Sequence, residues 1–266
     1  MAEHRIEAVP AEALNQDAPE TVNTETAETV NTETETTVET VITVFDDKDS
    51  YTAKHALQTP WSLWFDTPAK KSTKDWTANL KLVVTVDSVE DFWGVFNNIP
   101  SPSSLPNSAN LYFFKAGIEP SWEDAHNAAG GKWVHQSQKA KRDSVLDTLW
   151  MHTVLQSIGG GLEDDLDEIT GVVVSVRKAQ DRISIWTRSA GSDPRSKERL
   201  MRIGLLFKKT LAVSDRIGFT AHSDSASKSS RYLSLTQCES GQVLVLTPCG
   251  TGSRVDTVRE VVVLTI

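Results

Sequence analysis

The chain has 266 residues, enough for one large domain or two small ones, and a formal charge of −9. The first 50 residues hold thirteen acidic and two basic side chains, a balance of −11, so the remaining 216 carry 25 basic and 23 acidic groups, or +2. The acidity therefore belongs to the N-terminal tail and does not exclude a polyanionic ligand for the body.

Two cysteines, Cys238 and Cys249, make no disulfide framework. No apolar run of about 18 residues is present to span a bilayer, and the acidic, Thr-rich start lacks the apolar core of a signal peptide. A soluble, intracellular protein is expected.

From Thr21 the sequence repeats with a period of eight, Thr-Val-Asn-Thr-Glu-Thr-Ala-Glu, again from Thr29 and in altered form from Thr37. Without an aromatic before Phe45, this segment has too little apolar area to offset its chain entropy, and disorder is expected. Its third repeat (Val38, Val41, Ile42, Val44, Phe45) is apolar enough to dock on another surface. Three regions follow from composition: an acidic extension over 1–50, an ordered domain over 51–236 and a C-terminal extension over 237–266. In the last of these, two Val-rich runs, 243–246 and 261–266, have the pattern of an extra hairpin.

The ordered body is expected to start near His55. Aromatic alternation predicts a strand over 59–65, and Leu-Lys-Leu-Val-Val-Thr-Val predicts a second over 79–86. The loop between them, 66–75, is polar and ends at Trp76, a large ring that packing does not readily explain. Ser88-Val-Glu-Asp91 is a capping box, and Val89, Phe92, Trp93 and Phe96 follow it at helical spacing. A Pro/Ser loop over 100–108 leads to a short strand at 111–114.

The next stretch, 117–133, places Trp122 directly before Glu123 and Asp124 on a loop punctuated by Pro120, Gly130 and Gly131. A ring beside acids on a loop is commonly a partly buried ring with solvated neighbours. The same arrangement suits a flat cation that also donates hydrogen bonds, because the ring face attracts positive charge and the carboxylate accepts parallel NH groups. Methylated guanine is such a ligand.

Residues 132–135 read as a strand. A second capping box, Ser144-Val-Leu-Asp147, opens a helix with Leu146, Leu149, Trp150, Thr153, Val154 and Ile158 on one stripe, ended by three glycines from Gly159. An acidic run, 163–168, precedes a hairpin of 171–177 and 182–187 with its turn at 178–181. Asp193-Pro194 caps a third helix whose apolar face is Leu200, Ile203, Phe207 and Leu211. Residues 217–220 and 232–235 read as closing strands around a polar loop holding Lys228.

Strands interleaved with three helices predict an α+β fold, one antiparallel sheet with a single face covered by helices. The loops at the rim of the other face are then placed to carry a site. If the loops of Trp76 and Trp122 face one another, their rings clamp a planar base and Glu123 reads its edge. Arg177, Lys178 and Arg182 cluster on the hairpin turn, with Lys132 and Lys228 as further cations, and phosphates suit that cluster.

Several segments together carry a family resemblance. They are His55-Ala-Leu-Gln, Trp61-Ser-Leu-Trp-Phe, Trp76-Thr-Ala-Asn-Leu, Val89-Glu-Asp-Phe-Trp93, Lys115-Ala-Gly-Ile-Glu-Pro-Ser-Trp-Glu-Asp124, Gly130-Gly-Lys-Trp133, Gly171-Val-Val-Val-Ser-Val-Arg177 and Ile185-Trp-Thr187, with Trp150 and His222 through Lys228. Over roughly 55–235 the chain resembles the eukaryotic translation initiation factor 4E family, which binds the messenger RNA 5′ cap.

The resemblance implies a single curved antiparallel sheet with three helices on its convex face and the cap on the concave face. Trp76 and Trp122 match the stacking rings, Glu123 the acid on the guanine edge, and Trp186 the ring at the methyl group. Arg177, Arg182, Lys132 and Lys228 match phosphate-binding positions, with Lys178 beside them. His55, Val89, Trp93, Met151 and Leu155 match the surface where an initiation scaffold protein or an inhibitory 4E-binding protein docks. Met151 and Leu155 also lie off the stripe of Leu146 and Leu149, as an exposed patch requires.

Ala56 stands where the family commonly has proline, His152 where an acid is common, and Ala179 where a phosphate-binding Lys often lies. The leading expectation is a cytoplasmic module, with the nucleus as a second compartment, that recruits capped messenger RNA to initiation through a scaffold. A cap-binding repressor that does not engage the scaffold productively is the alternative. A nucleotide- or cap-processing enzyme would need a metal-binding acid cluster or an activated nucleophile. The acidic run 163–168 reads instead as a solvated linker, and neither cofactor nor metal is expected.

Overall fold

The computed structural model describes residues 42–43, 45–66, 79–138, 145–162, 167–225, 233–235, 244–245 and 261–262. Outside them lie the first two octapeptide repeats and most of the third, Trp76, Ser144, most of the acidic run, Lys228 and both cysteines.

Eight strands form one antiparallel sheet: β1 (Ala56–Asp66), β2 (Leu80–Ser88), β3 (Asn110–Lys115), β4 (Gly131–Gln138), β5 (Ile169–Ser175), β6 (Gln180–Thr187), β7 (Ile217–Ala221) and β8 (Leu233–Leu235). Their order across the sheet is β2-β1-β3-β5-β6-β4-β7-β8. A register shift between Leu63 and Trp64 in the β1–β2 ladder marks a bulge, the device that bends a sheet near its edge. β9 (Leu244–Val245) and β10 (Val261–Val262) pair antiparallel in a separate ladder.

Alternation along the strands sorts the side chains between two faces. One face carries Leu63, Phe113, Val172, Ile185, Trp133 and Phe219, aligned strand to strand by register. These join Phe92 of α1 (Val89–Phe96), Trp150 and Val154 of α2 (Asp147–Ile158), and Leu200 and Phe207 of α3 (Pro194–Leu211) in the principal core. The helices therefore cover this convex face. Trp133 is fully buried and donates its indole NH to the Leu200 carbonyl at 3.0 Å, tying β4 to α3. Gly204 makes that approach possible, since a Cβ there would lie 2.6 Å from the Trp133 ring.

The helix ends follow local chemistry. Ser88 caps α1 by accepting the Asp91 NH at 3.2 Å. Asp193 caps α3 by accepting the NH groups of Arg195 and Ser196, Pro194 follows at the first turn, and Lys208 and Lys209 complement the dipole at the other end.

The capping box expected at the start of α2 has its cap residue, Ser144, outside the described residues. The Asp147 carboxylate accepts from the NH and hydroxyl of Ser103 at 2.8 and 2.6 Å and so anchors the short 3-10 turn Pro102–Ser104 to the first turn of α2. The chain is also ordered ahead of His55, where the Ile42 carbonyl accepts the NH groups of Thr52 and Ala53 and closes a loop.

Candidate functional site

The face opposite the helices is built in three rows that register brings across the sheet. One row runs Ser62, Phe114, Gly171, Trp186, Lys132, Thr220. The next runs Trp64, Tyr112, Val173, Ser184, Val134, Gly218, and the third Asp66, Asn110, Ser175, Arg182, Gln136. Tyr112, Phe114, Ile118, Val173 and Trp186 make a small apolar cluster at one end of this face, with Trp64 and Leu80 against it. A bare Gly171 is required here, since a Cβ would lie 2.4 Å from the Phe114 ring.

Trp186 is the hub of the first row. Phe114 meets it edge-on at 5.4 Å, His222 packs on it at 4.2 Å, and the Lys132 ammonium lies 5.7 Å from its ring. Burial, then the nearby Lys132, hold the His222 imidazole down at a pKa of about 4. It is therefore neutral at physiological pH and adds no positive charge beside Trp186. Lys132 is itself depressed, first by burial and then by Arg182 and Arg177. Cations that disfavour one another's charge are the setting in which an anion binds well, because it relieves the repulsion.

The hairpin end of this face is braced. Asp181 accepts the Arg177 NH at 2.9 Å and closes the β5–β6 turn. The Arg177 guanidinium donates to Asn110 Oδ1 at 2.8 Å and to the Val176 carbonyl at 2.9 Å, while Asn110 Nδ2 donates to Asp66 at 3.0 Å. Burial lowers the Arg177 pKa, as does Arg182, and burial raises that of Asp66. Arg177 is thus positioned by the sheet, whereas Arg182 and Lys178 are exposed.

Trp122 and Glu123 stand on the loop that joins β3 to β4, Trp122 at 45% exposure and Glu123 open to solvent. The Ser121 hydroxyl donates a short hydrogen bond to the Glu123 carboxylate and accepts the Glu123 NH at 3.1 Å. That bond is the first cause holding the Glu123 pKa below its ordinary value, so the side chain is an anion and a pure acceptor. Asp124 faces inward: its carboxylate accepts from the NH groups of Glu119 and His126 at 3.0 and 2.8 Å. Burial opposes its ionisation, but these bonds bring its pKa below the usual range. The loop ends at β4, where the His222 NH donates to the Gly130 carbonyl at 2.9 Å.

The structure thus brings Trp186, Lys132, Arg177 and Arg182 onto one face, with Trp122 and Glu123 on a loop leading directly into it. Trp76 and Lys228 lie outside the described residues. His222 and Asn127 carry interactions that the sequence reading left without a role. For Asn127 the available signal was its place in a turn-rich loop, where Asn side chains commonly bond backbone groups.

The second surface lies on the helical side. The His55 NH and ring nitrogen bond the Glu90 carboxylate at 2.8 and 2.6 Å, and Lys54 pairs with Asp91 at 2.8 Å, fixing the chain to α1. Val89 and Trp93 are exposed at 39% and 36%, and Met151 and Leu155 are half-buried on α2. Beside them a pocket of about 220 Å³ opens between Phe96, Ile99, Pro102, Asp147, Trp150 and Met151. Of the acidic run, Asp167 pairs with Lys115 and Arg188 at 2.6 and 2.7 Å, and Glu168 accepts the Ser189 NH. Among the described residues no cluster of His, Cys, Asp and Glu has the form of a metal site.

Residues 56–235 match the sequence model of eukaryotic initiation factor 4E. The chain belongs to this family. Among relatives of the initiation factor 4E family, eukaryotic translation initiation factor 4E-1 of Schizosaccharomyces pombe is 43% identical over 190 residues, 71% of this chain and 84% of that protein.

Two solved structures are similar at a TM-score of 0.60. One is Ascaris suum eIF4E-3 in complex with an m2,2,7G cap, 38% identical over 64% of this chain and 92% of that one. The other is C. elegans eIF4E-3 with the 4E-binding protein Mextli and a cap analog, 35% identical over 66% of this chain and 97% of that one. The initiation factor 4E fold is accordingly the fold of this chain: one antiparallel sheet, helices on one face, the candidate site on the other.

Proposed function

We propose that this initiation factor 4E homologue binds the 7-methylguanosine 5′ cap of messenger RNA and recruits it for translation initiation through a scaffold protein docked on the helical face. One observation carries the reading. A solvent-open indole, Trp122, stands beside a carboxylate that accepts the Ser121 hydroxyl, on a loop leading into a face lined by mutually repelling cations. Cap chemistry fits each part: a cationic purine for the ring, NH donors for Glu123, and a phosphate chain for the cations. The relatives support it, since their solved structures include complexes with cap and with 4E-binding proteins.

In this reading Trp122 and Trp76 stack on the base, Glu123 accepts from its edge, and Trp186 contacts the methyl group. Lys132, Arg177, Arg182, Lys178 and Lys228 take the phosphates. His55, Val89, Trp93, Met151 and Leu155 take the partner helix, which is either the scaffold or an inhibitory 4E-binding protein. The role is binding rather than catalysis, exercised in the cytoplasm. Exposed Val89 and Trp93 favour an initiator over a repressor that lacks a scaffold surface.

The test is retention of the full chain on a 7-methyl-GTP resin. Wild type is expected to be retained and to elute with 7-methyl-GTP but not with the same concentration of GTP. Elution by both nucleotides alike would overturn the reading.

A further inference from the structure

Asn127 lies five residues beyond Trp122 and is completely buried. Its amide nitrogen donates both hydrogens to main-chain carbonyls on the near side of Trp122, to Glu119 at 2.9 Å and to Ser121 at 2.8 Å. Because both acceptors are carbonyls, the orientation of the carboxamide is fixed by chemistry, with nitrogen toward the loop. Its oxygen, also buried, has no partner among the described residues. An orphaned acceptor in the interior costs free energy. The side chain is therefore held for its two donors, at the expense of its acceptor.

Those donors act on one peptide segment. Together they fix Glu119, Pro120 and Ser121, and the Ser121 hydroxyl in turn bonds the Glu123 carboxylate. From the other side, the Asn127 NH returns to the Asp124 carbonyl at 2.9 Å, closing the turn over Trp122 and Glu123. Asn is the short neutral side chain with two donors on one atom, and Ser or Thr would reach only one of the two carbonyls.

We infer that Asn127 is a positioning residue for base recognition: through Ser121 it sets the direction of the Glu123 carboxylate before any ligand arrives. Preorganised acceptors are worth more than mobile ones because their ordering cost is met in folding. The inference rests on the cap reading and deepens it, since it assigns selectivity for the guanine edge to a buried amide that touches no ligand.

The test compares two ligands that share the cationic ring and the triphosphate but differ at the edge: 7-methyl-GTP and 7-methylinosine triphosphate, which lacks the exocyclic amine. Isothermal titration of the full chain gives their affinity ratio, which does not depend on the fraction of active protein. Wild type is expected to prefer 7-methyl-GTP by about tenfold or more, the worth of one charge-assisted hydrogen bond. In Asn127→Asp, whose oxygens face the same two carbonyls, that preference is expected to fall to about twofold or less.

Ser121→Ala leaves the Asn127 bonds in place and removes only the hydroxyl relay, so it is expected to lose the preference with an unchanged thermal melt. It decides the question if Asn127→Asp does not fold. Preference retained in a folded Asn127→Asp, or in Ser121→Ala, would overturn the inference. A wild type that binds GTP and 7-methyl-GTP alike would instead overturn the cap reading beneath it.

Discussion

Two tryptophans on neighbouring strands show how the faces of the sheet differ. Trp133 and Lys132 are consecutive on β4, and their partners across the ladder, Ile185 and Trp186, are consecutive on β6. The pleat sends Trp133 to the helices and Trp186 to the opposite face. Trp133 has every need met inside the protein: zero exposure, a bonded indole NH, and Phe219 at 5.3 Å. Trp186 is nearly as buried, yet its surroundings are a depressed lysine and a neutral histidine whose Nε2 has no partner among the described residues. Burial alone does not separate core from site. Between these two rings the difference is whether the neighbouring polar groups are satisfied by the fold.

The comparison is broken most severely on the helical side. Trp133→Ala is expected to cost about 3–5 kcal/mol of stability, through a large cavity and the lost indole bond to the Leu200 carbonyl. Urea denaturation measures it. Cap-analogue affinity of the molecules that remain folded should be unchanged, because Trp133 contributes nothing to the ligand face.

On the ligand face the expected signature is a dependence on pH. The folded pKa of His222, about 4, lies below the unfolded value of about 6.5. Between those limits the unfolded chain binds the additional proton, so stability rises with pH across the window and is lost as pH falls from 6.5 toward 4. The full effect is on the order of 3 kcal/mol. His222→Gln is expected to flatten the stability–pH curve in that window. It leaves a residual slope of the same sign from His135, whose pKa burial also lowers. A variant with the wild-type slope would show that the Trp186–His222 contact does not exclude the proton.

Trp122 sharpens the contrast from the other direction. At 45% exposure its truncation should change stability by less than about 1 kcal/mol, while the lost ring contact with a cationic base is worth about 0.5–2 kcal/mol. Trp122→Ala is therefore expected to melt like wild type and to bind 7-methyl-GTP several-fold to tenfold more weakly by fluorescence titration. An unchanged affinity would remove Trp122 from the site.

The fold was legible wherever local chemistry and periodicity agreed. Ser88 and Asp193 cap the helices that they were expected to cap, and the stripes at Leu149 to Ile158 and Leu200 to Leu211 are buried. What the capping pattern at the start of α2 could not reveal is a long-range partner: Asp147 accepts from Ser103, 44 residues away in sequence. Of the candidate site, Trp122 and Glu123 were singled out as an aromatic-acid pair on a punctuated loop, and the structure leaves both exposed there. The resemblance supplied Trp186. Both routes named Arg177, but neither revealed its bracing by Asn110 and the Val176 carbonyl, and neither exposed the buried Asn127, whose donors go to main-chain carbonyls that any sequence supplies.

The smallest expected effect tests whether the two surfaces are independent. Trp93 stands 36% exposed on α1, with Phe92 and Phe96 against it at 5.1 and 5.9 Å, so it offers a rigid edge to a partner rather than a core contact. Exposed aromatic anchors of this kind typically contribute about 1–2 kcal/mol to a helix-docking interface. Trp93→Ala is expected to weaken binding of a scaffold-derived helical peptide by that amount and to leave cap-resin retention at the wild-type level. Because Trp93 stands on α1 and Trp122 on the β3–β4 loop, with no shared contact partner among the described residues, their effects on each ligand should add without coupling when the double variant is titrated. Non-additivity would mean that the core between the faces transmits strain, and that cap and partner communicate through it.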